Sequence, residues 1–510
     1  MTLSILIWLP AVVAVLAAIV GGRVAGRLSL LGALATLAIA ISFVVRWKTG
    51  GGMQFVTDRA WISALGVHYS LGLDGLNVLL VLLTAVLFAG ATLAANLRAW
   101  ERPGQFFLWL GLGETAVLGA FCAQDLILFV AFFDLMLIPF YFLTGMWGAG
   151  ARPERVRATT KLVIYTLVGS LLMLVAAVAT GVLAARQHGT PLTFSLAALA
   201  RLPLARGSQE WIFLCFAAAF LVKMPAFPVH GWLPDGYRTM PLPALAAFSG
   251  VVSKVAAYGF LRIVLPVFPL ATVHYQTLLL LIALASILYG SAMAFTTTNT
   301  RLVVGFSSVA QMGFITLGIF ALNQDGVQGA LLQMLNHGLV TLPLFFIVGL
   351  LAARAGSEDL REMGGIAFRA PVLASLFLVV ALATLAMPGS ANFVGEFLIL
   401  LGVFRAKIVF AFVASVGVAM AAVYVLRAFI RSMHNRVAPS VDSRELTLGD
   451  LWVLAPMVLV ILAFALYPQF GLKRSQPAAK ASVATTTAVQ HGGAYFTRDV
   501  GKPAYAGVTP

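Results

Sequence analysis

Five ionisable side chains lie well inside long apolar runs, in an arrangement that suits proton transfer. Asp134, Lys223, Lys254, His337 and Glu396 occur in separate apolar segments, in the order acid, base, base, histidine, acid. A charge at membrane depth costs about 2.5–3.5 kcal/mol on insertion scales, so such residues are functional by default. A buried lysine beside a movable carboxylate can switch between holding and releasing a proton. The pattern therefore predicts a proton relay, with the histidine suited to an intermediate position.

The same residue types also allow static interpretations. Asp134 and Lys223 are compatible with a salt bridge that only sets helix register. A single histidine such as His337 is more often a hydrogen-bonded core residue than a proton carrier. Lys161 is placed where it can extend its amine to the membrane surface, although it and His230 are also candidates for further relay positions. The number of charges at membrane depth favours transport over decoration.

Other polar residues near apolar runs predict structural roles or none. Asp74 and Asp125 precede apolar runs, where a carboxylate can cap a helix N-terminus. Glu114 lies within an apolar run and suggests no particular role. Cys122 and Cys215 are the only cysteines and fall inside apolar runs, so neither a disulfide nor a cysteine metal site is expected. The sequence contains no phosphate-binding loop, metal-spaced cluster or nucleophile elbow, which predicts no metal and no cofactor in this chain.

The overall composition indicates a membrane protein. Hydrophobic residues make up 61% of the 510 residues and charged residues only 10%, whereas soluble domains are about 25% charged. The net charge of +15 does not indicate nucleic-acid binding, because the basic residues stand singly in short gaps between apolar runs. In such gaps they act as topology determinants, and the expected environment is the lipid bilayer.

The apolar runs predict an all-α polytopic membrane protein of about fourteen transmembrane helices. Runs of this length exclude the strands of a membrane barrel. The first run lacks a basic segment before it, so it predicts a retained span rather than a signal peptide. The predicted spans are Leu3–Val20, Leu28–Val45, Leu73–Leu97, Phe106–Cys122, Leu126–Leu143, Leu162–Ala185, Trp211–Val229, Pro243–Leu265, Thr277–Phe295, Leu302–Leu322, Val327–Ala352, Pro371–Leu401, Ile408–Ile430 and Leu451–Phe470.

Two of these spans carry matching interruptions. Pro225 and Pro228 follow Lys223 in one span, and Pro388 precedes Glu396 in the other; both interruptions begin with Met-Pro. Proline removes a backbone donor and opens a helix, and paired broken helices indicate an internal repeat with a transport site. Prolines that merely kink helices are the simpler alternative. We expect two inverted repeats within this organisation: 1–105 N-terminal helices, 106–265 first repeat, 275–432 second repeat, 451–470 final helix, and 471–510 flexible tail.

The distribution of Lys and Arg predicts the orientation. An even number of spans places both termini on one side of the membrane. The gaps on the opposite side carry more Lys and Arg, so the positive-inside rule places that opposite side inside and the termini outside. The gap that holds Arg186, Arg201 and Arg206 runs against this rule. We expect a bacterial inner (plasma) membrane protein with both termini on the outer face. The stretch from Leu472 to Pro510 has no apolar periodicity and predicts a poorly ordered tail.

At its motifs the chain resembles the antiporter-like subunits of respiratory complex I (NADH:quinone oxidoreductase), and most closely those of the subunit M, or chain 4, type. The resemblance is collinear and covers nearly the whole chain. The stretches that carry it are Phe132–Pro139 with Tyr141 and Trp147-Gly148, Tyr165–Ser170 after Lys161, Lys223-Met224-Pro225 with His230–Asp235, Lys254, Ser307–Gly313, His337-Gly338, and Pro388-Gly389 with Asn392–Phe397.

The resemblance implies a proton channel. In it Asp134 pairs with Lys223, Lys254 and His337 continue a hydrated path, and Glu396 forms the distal site. A glutamate at this last position resembles subunit M, whereas the L and N relatives carry lysine there. The resemblance also implies an oxidoreductase complex whose NADH, flavin, iron–sulfur clusters and quinone bind partner subunits. L-like and N-like subunits are the expected neighbours, and this chain performs no redox chemistry itself.

The chain departs from the family pattern at several positions. Asp134 stands where the family has Glu, so its shorter side chain predicts a water bridge to Lys223. Gly236-Tyr237 replaces the usual Ala-His, Thr239-Met240-Pro241 replaces Glu-Ala-Pro, and a histidine common near Gln311 is absent. The departures leave open a specialised paralogue, and three rival functions remain: a subunit of a multi-subunit cation/proton antiporter, a subunit of a membrane hydrogenase or carbon-uptake complex, and a structural scaffold.

Overall fold

The N-terminal part contains a β-hairpin between membrane helices. The computed structural model of the chain describes residues 2–436, 441–442 and 444–492. Its first elements are α1 Leu3–Val20, α2 Gly22–Arg46, β1 Gln54–Ile62, β2 Val67–Leu73 and α3 Val78–Asn96. The sequence analysis did not predict this hairpin, in which the two strands pair antiparallel with Asp58 opposite Ser70. The third predicted span therefore begins at Val78 rather than Leu73. Gly66, in the left-handed conformation at φ 63°, closes the turn between the strands.

The first half of the bundle is interrupted where Pro225 and Pro228 stand. Its helices are α4 Pro103–Cys122, α5 Leu126–Leu135, α6 Leu137–Trp147, α7 Arg152–His188, α8 Leu196–Leu199, α9 Arg206–Lys223 and α10 Leu233–Thr239. Helix α9 ends at Lys223 and no helix resumes until Leu233. This is the predicted break, and it follows from prolines that cannot donate to a helical ladder.

The next span is buried throughout and contains two π turns. It runs through α11 Leu242–Ala247, a π turn Phe248–Val252, α12 Ser253–Gly259, a second π turn Phe260–Val264 and α13 Leu265–Val267, followed by α14 Pro269–His274. Every residue from Leu242 to Val267 is buried inside the protein. π turns leave backbone carbonyls out of the regular ladder and occur often at functional sites.

The second half repeats the pattern of a broken helix. Its helices are α15 Gln276–Thr296, α16 Thr300–Ile319, α17 Gln324–Ala355, α18 Pro371–Thr384, α19 Ala391–Ala406 and α20 Ile408–Met433. The long predicted span Pro371–Leu401 is divided between Thr384 and Ala391, with Gly389 at φ 91° inside the break. The long helix α17 lies at the centre, packed against α3, α11, α16, α18 and α19. The second predicted break is therefore also present.

Helices long and apolar enough to cross a membrane number twelve in the described part of the chain. Helix α9 and the divided span formed by α18 and α19 are the two predicted spans outside that count. The prediction of a polytopic helical membrane protein is confirmed, and about fourteen spans is a fair approximation.

The C-terminal region corrects the prediction of a poorly ordered tail. After α21 Leu448–Leu466, a second helix α22 covers Gln469–Gln490, and it packs on α17, α13 and α14. Its buried face consists of small residues, including Ser475, Ala479, Ser482 and Thr486. Because small polar residues at helical spacing do not register as an apolar stripe, the sequence pattern misses them. Residues 493–510 of the expected tail lie outside the described residues.

Candidate functional site

Asp134 and Lys223 face one another across α5 and α9 without direct contact. The Lys223 amine donates a hydrogen bond to the Phe133 carbonyl oxygen at 2.9 Å and lies 4.1 Å from the centre of the Phe133 ring. The charges of Lys223 and Asp134 interact, but within the described residues they form no ion pair closer than 4.0 Å. The static salt bridge is thus not formed. This separation is compatible with the predicted bridge through water.

Lys254 and His337 meet where two glycines allow their helices to approach closely. Lys254 is fully buried, and its amine donates to the Ser249 carbonyl oxygen at 2.9 Å, in the first π turn. A Cβ on Gly338 would lie 3.0 Å from the Gly250 carbonyl oxygen, so these backbones touch one residue away from His337. The ring of His337 is buried close enough to Lys254 for their charges to interact.

Glu396 lies on α19, six residues after the second break ends at Ser390. Its side chain is 3% exposed and contacts two amide side chains, Gln311 from α16 and Gln333 from α17. The phenol of Tyr424, on α20, interacts electrostatically with the Glu396 carboxyl group. The carboxyl group is thus surrounded by neutral polar groups rather than by a cation.

The five predicted residues lie on helices that pack one against the next, and we call this series of residues the row. The Lys223 amine joins α9 to the end of α5, and α9 packs on α12, which carries Lys254. The π turn before α12 packs on α17, which carries His337, and α17 packs extensively on α19, which carries Glu396. The tertiary structure therefore places the five residues on successively packed elements, in their sequence order.

The two additional candidates lie beside this row. Lys161 forms an ion pair with Asp235 at 2.8 Å, in which both side chains are about one-third exposed. His230 is buried in the first break, with its ring centre 4.7 Å from that of Tyr289. Among the described residues, no direct hydrogen bond joins Lys161 or His230 to the five side chains in the row.

The sequence argument missed several buried polar residues that the fold places near the row. Gln311 and Gln333 contact Glu396, and Arg262 forms a buried ion pair with Asp74. The rule that selected Lys254 as a charge inside an apolar run also selects Arg262, eight residues later. Asp74 therefore serves the ion pair rather than capping α3, whose N-cap is Asn77.

The second capping prediction is confirmed. Asp125 caps α5 by accepting hydrogen bonds from the backbone N–H groups of Ile127 and Leu128.

Within residues 2–436, 441–442 and 444–492, no group of three or more His, Cys, Asp or Glu side chains is arranged to hold a metal ion.

The polytopic helical fold with two broken helices is that of an integral membrane subunit of the antiporter-like type. The family model described as "NADH:quinone oxidoreductase/Mrp antiporter, TM" matches residues 123–421, which include all five residues of the row. The chain belongs to this family.

Its relatives point to one member of the family. The chain is 36% identical over 482 residues to NADH-quinone oxidoreductase subunit M of Rhodobacter capsulatus, covering 91% of this chain and 93% of that protein. It is 35% identical over 462 residues to subunit M of Escherichia coli strain K12, covering 88% and 91%. The predicted resemblance to subunit M is confirmed.

Solved structures agree with this assignment. A chain of respiratory complex I from Thermus thermophilus with bound NADH superposes with a TM-score of 0.87 at 31% identity, covering 95% of this chain and 99% of that one. A chain of the Mrp complex from Dietzia sp. DQ12-45-1b superposes with a TM-score of 0.83 at 23% identity, covering 96% and 98%. At that identity the second match supports the fold alone.

Proposed function

We propose that this chain translocates protons across the membrane as a subunit of an NADH:quinone oxidoreductase. The protons would move along Asp134, Lys223, Lys254, His337 and Glu396. The single observation that carries the proposal is that five ionisable groups, far apart in sequence, lie on helices that pack one against the next. Placing five ionisable groups inside a membrane protein costs free energy. Proton transfer between them is a function that explains why they are present.

Two members of the row lie beside the two broken helices. Lys223 is the last residue of α9 before the first break, and Glu396 lies in the first turns of α19 after the second. Unwound backbone at membrane depth is tolerated where it lines a hydrated cavity. Water at each break would connect the row to its surroundings. We also infer that the two halves are inverted repeats, each with one broken helix.

The contacts of Lys223 suit a group that changes its protonation state. Its amine rests on a carbonyl oxygen and an aromatic ring, and Asp134 acts on it only at a distance. A weak electrostatic link can be altered by a small movement, whereas a direct buried pair holds both charges fixed. Movement of Asp134 toward or away from Lys223 would thus favour proton uptake or release.

The remaining chemistry belongs to partner subunits. We infer that NADH, flavin, iron–sulfur clusters and quinone are bound by other chains, and that L-like and N-like subunits are neighbours of this one. The protein would lie in a bacterial inner membrane, with both termini on the outer face. The driving force would reach the row through conformational and electrostatic coupling.

Replacing Lys223 by Met tests the proposal directly. In proteoliposomes that contain the whole complex, K223M should abolish proton pumping while the complex remains assembled. Lys48→Met is the matched control, since Lys48 is exposed in the loop before the hairpin, and it should pump normally. Normal pumping by K223M would refute the role of the row. Sodium transport without quinone reduction would instead favour an antiporter.

A further inference from the structure

The two oxygen atoms of the Glu396 carboxyl group have different surroundings. Oε1 accepts a hydrogen bond from Gln311 Nε2 at 2.7 Å and a longer one from Gln333 Nε2 at 3.3 Å. Oε2 is buried and accepts no hydrogen bond from any described residue. One oxygen is therefore held by two donors, and the other is not.

The two glutamines are also bonded to each other, which sets the orientation of both amides. Gln333 Nε2 donates to Gln311 Oε1 at 2.7 Å, so the Gln311 nitrogen faces the carboxyl group. The three side chains come from α16, α17 and α19 and are at most 3% exposed. We call Gln311 and Gln333 the amide clamp.

Glycines between α17 and α19 bring the clamp within reach. A Cβ on Gly395 would lie 2.5 Å from Gln333 Oε1 and 3.0 Å from the Gln333 backbone nitrogen. On the facing helix, a Cβ on Gly329 would lie 2.6 Å from the Ile399 nitrogen. Contacts below 3.0 Å cannot be accommodated without movement, so glycine is needed at both positions for Gln333 to reach Glu396.

The chemistry of an amide gives this geometry a consequence. An amide N–H group donates and cannot accept, so an oxygen that receives two such bonds is a poor place for a proton. Hydrogen bonds to an ionised carboxylate are also stronger than those to neutral acceptors. The clamp consequently favours the ionised form of Glu396 and directs any incoming proton to the other oxygen.

We propose that Gln311 and Gln333 are positioning residues that fix Oε1 of Glu396 and leave Oε2 as its proton-binding atom. The inference rests on the proposed function, since it assigns the atom that carries the proton at the distal end of the row. Without the clamp the carboxyl group could rotate, and either oxygen would take the proton.

Leucine variants in the intact complex test the clamp. Gln311→Leu and Gln333→Leu each keep a similar side-chain volume and remove the donor. Because a hydrogen bond to a carboxylate favours its ionised form, loss of the donor should move the acidic limb of the pumping profile to higher pH by about one unit or more. The carboxyl band of Glu396 in infrared difference spectra should also shift in both variants.

Gln328→Leu is the matched control on the same helix. Gln328 is buried, and its amide donates to the Leu472 carbonyl oxygen rather than to the row, so this variant should leave both readouts unchanged. If Q311L and Q333L behave like Q328L, the clamp is overturned. Glu396→Gln separates the two ideas, because loss of pumping in E396Q together with unshifted clamp variants contradicts the clamp alone. Normal pumping by E396Q would overturn the role of Glu396 and the clamp with it.

Discussion

Arg262 and Asp74 form a buried ion pair in which the Arg262 Nη2 atom lies 2.5 Å from Asp74 Oδ1, with 3% and 11% of the two side chains exposed. The Arg262 Nε–H group also donates to the Tyr258 hydroxyl oxygen at 2.9 Å. Lys254, Tyr258 and Arg262 are spaced four residues apart along one span. Asp74 directly follows strand β2, so the ion pair ties the hairpin to the span that carries both Arg262 and Lys254.

Removal of one partner of this pair should destabilise the protein strongly. Arg262→Leu or Asp74→Leu leaves the other charge buried, which typically costs about 3–5 kcal/mol. The double variant, with both charges removed, should be less destabilised than either single variant. Thermal inactivation of the purified complex measures the effect. A double variant that loses as much as the two single variants together would show that the residues act independently.

Asp134 should tolerate a longer acid but not a neutral isostere. Asp134→Glu keeps the charge, so we expect pumping to be retained. Asp134→Asn removes the proton-binding group and should lower pumping by roughly 10²-fold or more. Initial rates of proton uptake in proteoliposomes compare the two variants. Equal rates would indicate a structural role for this position.

Glu114 should prove dispensable for transport despite its burial. Its Oε1 atom and the Ser29 hydroxyl have no hydrogen-bond partner among the described residues, and both residues line one small cavity between α1, α2 and α4. This cavity lies among the N-terminal helices, and no hydrogen bond or ion pair among the described residues joins Glu114 to the row. Glu114→Gln keeps size and polarity, so the pumping rate should stay unchanged. A loss comparable to that of D134N would add Glu114 to the proton path.

In the loop after α17, the carboxylate of Asp359 should stabilise the folded protein, and this stabilisation should be lost in acid. Hydrogen bonds from Arg361 and Thr298 lower the pKa of Asp359 from its usual 3.8 to about 2. Because the pKa is depressed by folding, the stabilisation is complete above about pH 4 and disappears as the pH falls toward 2. The contribution is small, since Arg361 is mostly exposed.

The sign of this effect can be measured as a difference between variants. Asp359→Asn should lower the thermal midpoint at pH 5 and have less effect near pH 2.5, where the wild-type carboxyl group is losing its charge. Asp442→Asn is the control, because Asp442 lies in an exposed and longer pair with Arg444. A deficit in D359N that stays constant with pH would contradict the assignment.

The breaks and most spans follow from local chemistry, which is why the sequence predicts them. Apolar length alone indicates membrane helices, and prolines interrupt them wherever they stand. The sequence analysis did not predict the hairpin or α22, and the reasons differ. The hairpin is a short polar-faced segment between long apolar runs, and α22 buries small residues whose fit depends on the surfaces of α17 and α14.

By itself, the sequence determined that the chain is a membrane bundle with ionisable groups at depth, because both conclusions depend only on residue type and run length. The tertiary structure decided which of those groups meet. It kept Asp134 out of direct contact with Lys223, paired Arg262 with Asp74, and surrounded Glu396 with Gln311 and Gln333. Such contacts depend on close approaches between helices far apart in the chain, as at Gly395 and Gly338, and no local pattern encodes the neighbour on the other side.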